Sequence, residues 1–333
     1  MEKNRERKDV VELRKAVECI RKHKSFIITA HTNLEGDALG SELAFYRLLK
    51  KLGKEAAIVN EDILPPSYGF LPGIDKIRQF KQGKTRVKFD CFVALDCSDL
   101  ERTGEVYRLN SAGKTVLNID HHISNRYFGN VNWVEPAASC TSEMVYKLYK
   151  AMRVPIDRDE ALCMYVGILT DTGSFRYSNT TAFTHKVISE LLKHRFKTQE
   201  IYKYIYEDIP FTDMKLLGRI LPRMRQDAKG KVIWFEVPRV LLRNWKLSFD
   251  LSEHILAFGR AVRGVEVVVL FKENLGVRNE VRINFRSQGA VDVNKIASYF
   301  GGGGHKTASG ATVRGKLSEV RKKVLSKIRY ALQ

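Results

Sequence analysis

Apolar residues fall in short unbroken runs in the first half of the chain. Phe26-Ile27-Ile28-Thr29-Ala30, Ala56–Asn60, Cys91–Leu95 and Thr115–Ile119 are such runs, with little polar alternation inside them. That pattern predicts strands buried on both faces of a parallel sheet. Between them the spacing becomes helical. Leu13, Ala16, Val17 and Ile20 predict an amphipathic helix over 11–24, a second helix starts at Asp37 and runs to about Leu52, and a third covers Glu160–Leu169. A stretch punctuated by Pro65, Pro66, Pro72 and Gly73 separates the second and third strands. Strands alternating with helices imply an α/β fold in which ligands gather beyond the carboxyl ends of the strands.

After Thr181 the chain reads as helical and basic through Tyr204, then passes Pro210 and Pro222. A second, smaller α/β unit follows. Its strands are expected at Val232–Val237, Val265–Phe271 and Val281–Phe285, and its helices at Ser252–Val262, Asp292–Tyr299 and Leu317–Leu332. The expected layout is therefore 1–190 for a parallel-sheet domain, 191–225 for a helical linker and 226–333 for the second domain.

Charge narrows the choice of partner. Lys and Arg number 57 against 38 Asp and Glu, a net charge of +19. A basic field favours nucleic acid, nucleotides or phosphate esters, although a solvated basic surface accounts for the charge equally well. The five cysteines form no C-x-x-C pair and sit in apolar surroundings, as reduced core residues of a cytoplasmic protein do. Cys97, beside Asp96, is read the same way. No apolar run approaches the ~20 residues of a bilayer span, so a soluble protein without a membrane partner is expected.

Three polar clusters stand at predicted strand ends: His31-Thr32-Asn33-Leu34-Glu35-Gly36-Asp37, Asp96-Cys97-Ser98-Asp99 and Asp120-His121-His122. A fourth, Asp171-Thr172-Gly173, follows the third helix. Singly, each has an ordinary role, Asp37 as a helix N-cap for instance. Jointly they supply the donors that two divalent ions need when one carboxylate bridges them and a water is activated for attack at phosphorus. His31, Glu35 and Asp96 would form one site and Asp37, His121 and Asp171 the other, with Asp96 shared. A carboxylate-rich set with two imidazoles suits Mn²⁺ more than an all-sulfur zinc site would; Mg²⁺ and Co²⁺ are alternatives that the donors alone do not separate from it. Gly36 between two acids permits a tight turn.

In the second unit, Gly301-Gly302-Gly303-Gly304-His305 precedes Lys306-Thr307-Ala308-Ser309-Gly310-Ala311, read as a turn of small residues. Backbone amides of such a run can approach an anion closely, with His305, Lys306 and Ser309 adding donors; a flexible loop is the disfavoured alternative, since the run abuts an apolar helix. Arg102 is a further candidate for a phosphate contact. Tyr127, Phe128 and Trp133 have the spacing of core aromatics more than of base-stacking ones.

These four clusters, in this order, and the glycine run resemble the DHH phosphoesterase superfamily with its associated C-terminal domain. The length and layout are similar to the nano-RNase group, which itself resembles a minimal RecJ nuclease. The resemblance implies an active site in a cleft between the two domains. It also implies metal ligation by His31, Glu35, Asp37, Asp96, His121 and Asp171, with His122 near the scissile phosphate and Asp120 orienting an imidazole. Substrate phosphate would be held by Arg286 and by Gly302, Gly303, Gly304, His305 and Ser309. The implied activity is hydrolysis of short RNA or DNA oligonucleotides, of dinucleotides, or of 3′-phosphoadenosine 5′-phosphate; the expected partners are those substrates, with a homodimer as one open assembly. Alternatives in the same superfamily are a soluble cyclic or linear dinucleotide phosphodiesterase and a RecJ-like exonuclease; outside catalysis, a nucleotide-binding protein with an impaired metal site. The first motif departs from H-x-N-P-D-G-D, since Leu34-Glu35 replace Pro-Asp. The longer side chain bears on rate and metal preference, and is the feature that keeps the binding-protein reading open.

Overall fold

In a computed structural model, which describes residues 2–227, 229–242 and 251–332 with side chains from residue 8, the four apolar runs form the centre of a sheet. The elements of this first unit are α1 (Glu2–Lys22), β1 (Ser25–Thr29), α2 (Gly36–Lys51), β2 (Glu55–Asn60), β3 (Ile77–Gln79), β4 (Cys91–Leu95), β5 (Thr115–Asp120) and β6 (Val131–Val134). They continue with α3 (Thr141–Met152), α4 (Arg158–Asp171), α5 (Ala182–Leu192) and α6 (Thr198–Tyr202). The strand order is β3-β2-β1-β4-β5-β6 and every pairing is parallel. The order reverses between β1 and β4, and the crevice at such a switch point is where open α/β sheets bind ligands.

Alternate strand residues feed two apolar layers. Phe26, Ile28, Ile58, Val93, Leu95, Leu117 and Ile119 pack with the helices, while Ile27, Val59, Phe92, Ala94 and Val116 pack with Phe89, Cys97 and Val106 on the other face. Burial on both sides is why these strands are apolar throughout. Helices α2 and α4 cross closely. A methyl group on Gly40 would run into the Cys163 carbonyl, and one on Gly36 into the Thr170 side chain. That crossing brings the start of α2, which carries Asp37, beside the end of α4, which carries Asp171.

Several boundaries differ from expectation. Helix α1 starts at Glu2 rather than near Val11, because its charged first turns are good helix formers without an apolar stripe to advertise them. Asp171 is the last residue of α4 rather than a residue beyond it. Edge strands β3 and β6 and helix α3 were not anticipated.

Contacts divide the chain into Met1–Glu207 and Asp208–Gln333. Residues 191–225 are shared between the two: Phe196, Ile201 and Ile205 join the first core, and Leu216, Leu217 and Ile220 join a core of the second unit.

The second unit comprises α7 (Phe211–Ile220), β7 (Arg225–Gln226), β8 (Val232–Val237), α8 (Arg239–Leu242), α9 (Ser252–Arg260), β9 (Val267–Glu273) and β10 (Glu280–Ser287), then α10 (Val293–Tyr299), β11 (Gly303–Gly304), β12 (Ala308–Arg314) and α11 (Leu317–Ala331). Its sheet runs β11-β12-β10-β9-β8-β7, parallel between β8 and β9 and antiparallel elsewhere. Helices α10 and α11 cover one face, and α7 and α9 the other. The segment after His305 is thus strand β12 rather than a turn. Its small residues have weak intrinsic β preference, and seven register pairs with β10 hold it extended.

Candidate metal centre

The carboxyl ends of β1, β4 and β5 and the facing ends of α2 and α4 bring the sequence-identified residues of the first unit together. His31, Asp37, Asp96, Asp120 and His121 are each at most 3 % exposed. Asp96 lies at the middle. Its Oδ2 is 3.4 Å from His31 Nε2, and its Oδ1 is 3.4 Å from His121 Nε2. Around His31 the third donor is Glu35, with Oε1 at 3.8 Å from Nε2. Around His121, Asp37 Oδ2 stands at 4.0 Å and Asp171 Oδ2 at 3.7 Å. Two donor groups flank one carboxylate, His31, Glu35 and Asp96 on one side and Asp37, Asp96 and His121 on the other, and a third, Asp96, Asp120 and His122, shares it as well. Asp96 itself adopts φ 54°, a left-handed conformation for a non-glycine residue at the strand end.

The donor set fits a pair of cations. The N···O separations exceed those of good hydrogen bonds. Two ligands each ~2.1–2.2 Å from one ion stand about 3.0–3.5 Å apart as the array runs from octahedral to tetrahedral, close to the shorter spacings found here. The imidazoles are turned the same way. His31 Nδ1 lies 2.7 Å from the Thr32 carbonyl, and His121 Nδ1 lies 3.4 Å from the Ala138 carbonyl. The close Thr32 carbonyl assigns the Nδ1 proton of His31 and directs its Nε2 at the carboxylates, an arrangement common in metal-binding histidines, and the longer Ala138 contact leaves His121 Nε2 facing the same way.

Electrostatics point the same way. Burial opposes ionisation of Asp96, but the imidazoles of His121 and His31 beside its two oxygens and the charge of His122 outweigh it and hold its carboxyl well below the usual range. Burial, with the charge of Asp96, pushes Asp37 up to about 6 against the pull of His121. Burial likewise drives Asp171 well above the carboxylate range. His121 is raised well above an ordinary imidazole; burial works against this, and Asp171 and Asp96 prevail. So much buried negative charge, with protons retained to offset it, is a site built around positive charge.

Several of these positions are held by residues that the sequence did not single out. The main-chain amides of Thr141 and Ser142, at the N-terminus of α3, donate to Asp37 Oδ2 and Oδ1 at 2.7 and 2.8 Å, where the helix dipole favours an anion. Thr141 Oγ1 donates to Asp96 Oδ1 at 3.1 Å, and Asn179 Nδ2 to Asp171 Oδ2 at 3.2 Å. His122 Nδ1 and Asp120 Oδ1 are 2.6 Å apart, and Asn125 Nδ2 donates to Asp120 Oδ2 at 2.6 Å. The polar run Ser139-Cys140-Thr141-Ser142 before a helix was the one visible signal for this layer.

Glu35 is the N-terminal cap residue of α2, and its side chain is largely exposed. Leu34 packs into the core. Arg102 is half-buried beside the first motif: its carbonyl accepts from Thr32 N at 2.7 Å, and Nη1 donates to Ser98 Oγ at 3.3 Å. Cys97 is buried, its thiol 2.9 Å from the Asp99 carbonyl. Trp133 belongs to the core.

The remaining candidates belong to the second unit and are described within it. Arg286 Nη2 is paired with Glu253, and Nη1 donates to the Phe285 carbonyl at 2.9 Å. Gly303 and Gly304 form β11, opposite Gly310 and Ser309 of β12. Gly302 lies so close to the Gly310 carbonyl that no Cβ fits there. Ser309 Oγ donates to the His305 carbonyl at 2.7 Å, so that hydroxyl serves the hairpin.

Known proteins share both the sequence and the architecture. Residues 25–168 match the DHH family N-terminal domain, and residues 241–333 match the DHHA1 domain. The chain is 32% identical to a bifunctional oligoribonuclease and PAP phosphatase of Thermus thermophilus, over 97% of this chain and 93% of that one. It is 28% identical to the protein of the same description in Bacillus subtilis, over 87% and 90%. Among solved structures, an exopolyphosphatase-related protein of Bacteroides fragilis superposes with a TM-score of 0.83 at 24% identity, covering 95% of this chain and 96% of that one.

Proposed function

Because the chain belongs to the DHH family of phosphoesterases, we propose that it is a metal-dependent hydrolase of short oligonucleotides and of 3′-phosphoadenosine 5′-phosphate. The observation that carries this reading is the pair of donor groups sharing Asp96. Its near-full-length likeness to two oligoribonuclease and PAP phosphatases supports the substrate class.

In this reading His31, Glu35 and Asp96 would hold one divalent ion and Asp37, Asp96, His121 and Asp171 a second, Mn²⁺ being the ion expected from the family resemblance rather than from the donors alone. Such a pair supplies Lewis acidity and an activated water at phosphorus. The protein's own share is positioning. The Thr141 and Ser142 amides fix the rotamer of Asp37, and the hydroxyl of Thr141 fixes Asp96. Asp120, anchored by Asn125, commits His122 Nδ1, so proton chemistry at the reacting phosphate falls to His122 Nε2. Arg286 presents a guanidinium suited to bidentate phosphate binding once Glu253 yields it. Ser309, Gly302, Gly303, Gly304 and His305 shape the hairpin beside β10, and Arg102 adds positive charge next to His31.

The test is product analysis with purified protein and Mn²⁺ on a 5′-labelled RNA dinucleotide, a longer RNA, a cyclic dinucleotide, 3′-phosphoadenosine 5′-phosphate and pyrophosphate. Chelator-sensitive turnover of the dinucleotide or the bisphosphate is the expected result. Tight nucleotide binding without turnover of any substrate would replace the enzyme with a binding protein, and Glu35 would be the first residue to revert.

A further inference from the structure

The second unit contains a cavity on the face of its sheet opposite to Arg286. Strand β8 turns Ile233, Phe235 and Val237 toward α7 and α9, so by period-two alternation Trp234 and Glu236 face α11. Strand β10 turns Val281, Ile283 and Phe285 toward α10 and α11, which leaves Arg282 and Arg286 on the α9 side, where Arg286 meets Glu253. The sheet therefore stands between the two arginine groups. Strand order separates them again, with the glycine run on β11 at one edge and Arg225 on β7 at the other.

The cavity holds about 660 Å³, within the range of small-molecule sites. Arg225 and Trp234 are register partners across β7 and β8, so both project from the same face. Arg223 precedes them, and α11 adds Arg321, Lys322 and Arg329. Arg321, Leu325 and Arg329 recur every four residues and form one stripe along about 12 Å of helix. Glu236 is the one acid in the lining. It accepts from Arg321 Nη1 at 2.6 Å and from Trp234 Nε1 at 3.4 Å. Among the described residues no carboxylate neutralises Arg223, Arg225, Lys322 or Arg329.

Four unneutralised cations around a half-buried indole repel one another until an anion arrives. The cavity is half open to solvent, and its volume matches a small anion rather than a long strand. The indole, with Leu317 and Leu325 beside it, offers an aromatic base a surface that an inorganic anion does not use. We propose that this cavity binds a nucleoside polyphosphate, its base against Trp234 and its phosphates against Arg223, Arg225 and the α11 stripe. The site is independent of the metal centre, and its occupation neither requires nor tests the phosphoesterase reading.

The experiment is isothermal titration of the full chain with adenosine triphosphate in excess chelator, which silences binding that depends on bound metal. One saturable event is expected. It should weaken at least ten-fold in the double variant Arg225→Glu, Arg329→Glu, whose positions are exposed and whose fold circular dichroism verifies. It should weaken comparably in Trp234→Ala and persist in Arg286→Ala. Adenosine and inorganic tripolyphosphate should each bind at least ten-fold more weakly than the triphosphate. Absence of binding, equal binding by the double charge variant, loss in Arg286→Ala, tripolyphosphate matching the nucleotide, or displacement by a pentanucleotide at lower concentration than the triphosphate would each overturn the assignment.

Discussion

Replacing Glu42 with glutamine should make the protein more stable, and increasingly so as pH rises. Glu42 lies on α2 with no exposed surface. Its Oε2 accepts from Asn60 Nδ2 at 2.7 Å, while Oε1 has no hydrogen-bond partner among the described residues. Asn60 in turn accepts, through Oδ1, the Ala30 amide at 3.1 Å and the Thr29 hydroxyl at 3.2 Å, so this pair anchors the end of β1 from which His31 projects. Burial pushes the carboxyl up to about 8 from 4.5; Asn60 pulls the other way and the charge of Asp96 adds to the rise. The unfolded chain releases this proton near 4.5 and the folded chain near 8. Between those values the folded state binds more protons, so unfolding free energy falls as pH rises, with no further loss from this group above about 8.

Glutamine does not titrate, and its amide leaves a donor where the protonated acid would place its hydroxyl, so the two should match at pH 4.5 and below. The full displacement corresponds to about 5 kcal/mol. The advantage of Glu42→Gln should therefore grow by about 2–5 kcal/mol between pH 4.5 and pH 8.5. Urea unfolding in chelator measures it, followed by Trp133 fluorescence in a background where Trp234 and Trp245 are phenylalanine. A difference that stays constant with pH would mean that Glu42 is ionised in the folded chain, and the reasoning from burial would fail.

Asp120→Asn removes the charge holding His122 while keeping the shape; a hydrogen bond to a charged group is worth ~1.5–3 kcal/mol, so kcat should fall roughly 10- to 100-fold with metal content unchanged by elemental analysis. Arg286→Ala should raise KM for a dinucleotide about ten-fold or more with a much smaller change in kcat, and an unchanged KM would exclude a substrate contact. Gly40→Ala forces a methyl against the Cys163 carbonyl and should cost about 2–3 kcal/mol, read as a lower Tm; a neutral outcome would show that the α2–α4 crossing can relax.

Sequence legibility followed the range of the interactions involved. Strands β1, β2, β4 and β5 were readable because burial on both faces leaves an unbroken apolar signature. The edge strand Ile77-Arg78-Gln79 buries only its first residue and carries no such mark. Strand β12 was hidden for a different reason: Ala308-Ser309-Gly310-Ala311 is extended because β10 pairs with it, and nothing in its own composition announces that. In the candidate metal centre, His31, Asp96 and His121 were legible because each follows a readable strand. Thr141 reaches Asp96 from 45 residues away, while Asn125 and Asn179 lie five and eight residues beyond the carboxylates they orient; all three are common residue types with ordinary local roles, and only folding reveals what they face.

The ligand order has a consequence for biosynthesis. His31, Glu35, Asp37, Asp96, His121 and Asp171 all precede residue 172, and none of the six comes from the second unit. A ribosome makes the chain N-terminus first, so the nascent polypeptide owns a complete donor set while its last hundred and more residues are still untranslated. Ion capture at that moment would stabilise the first unit by mass action and relieve its crowded carboxylates before the rest of the protein exists. On the ligand set proposed here, cellular metal supply acts twice: on the turnover of finished molecules, and on the fraction of new chains that survive to be finished.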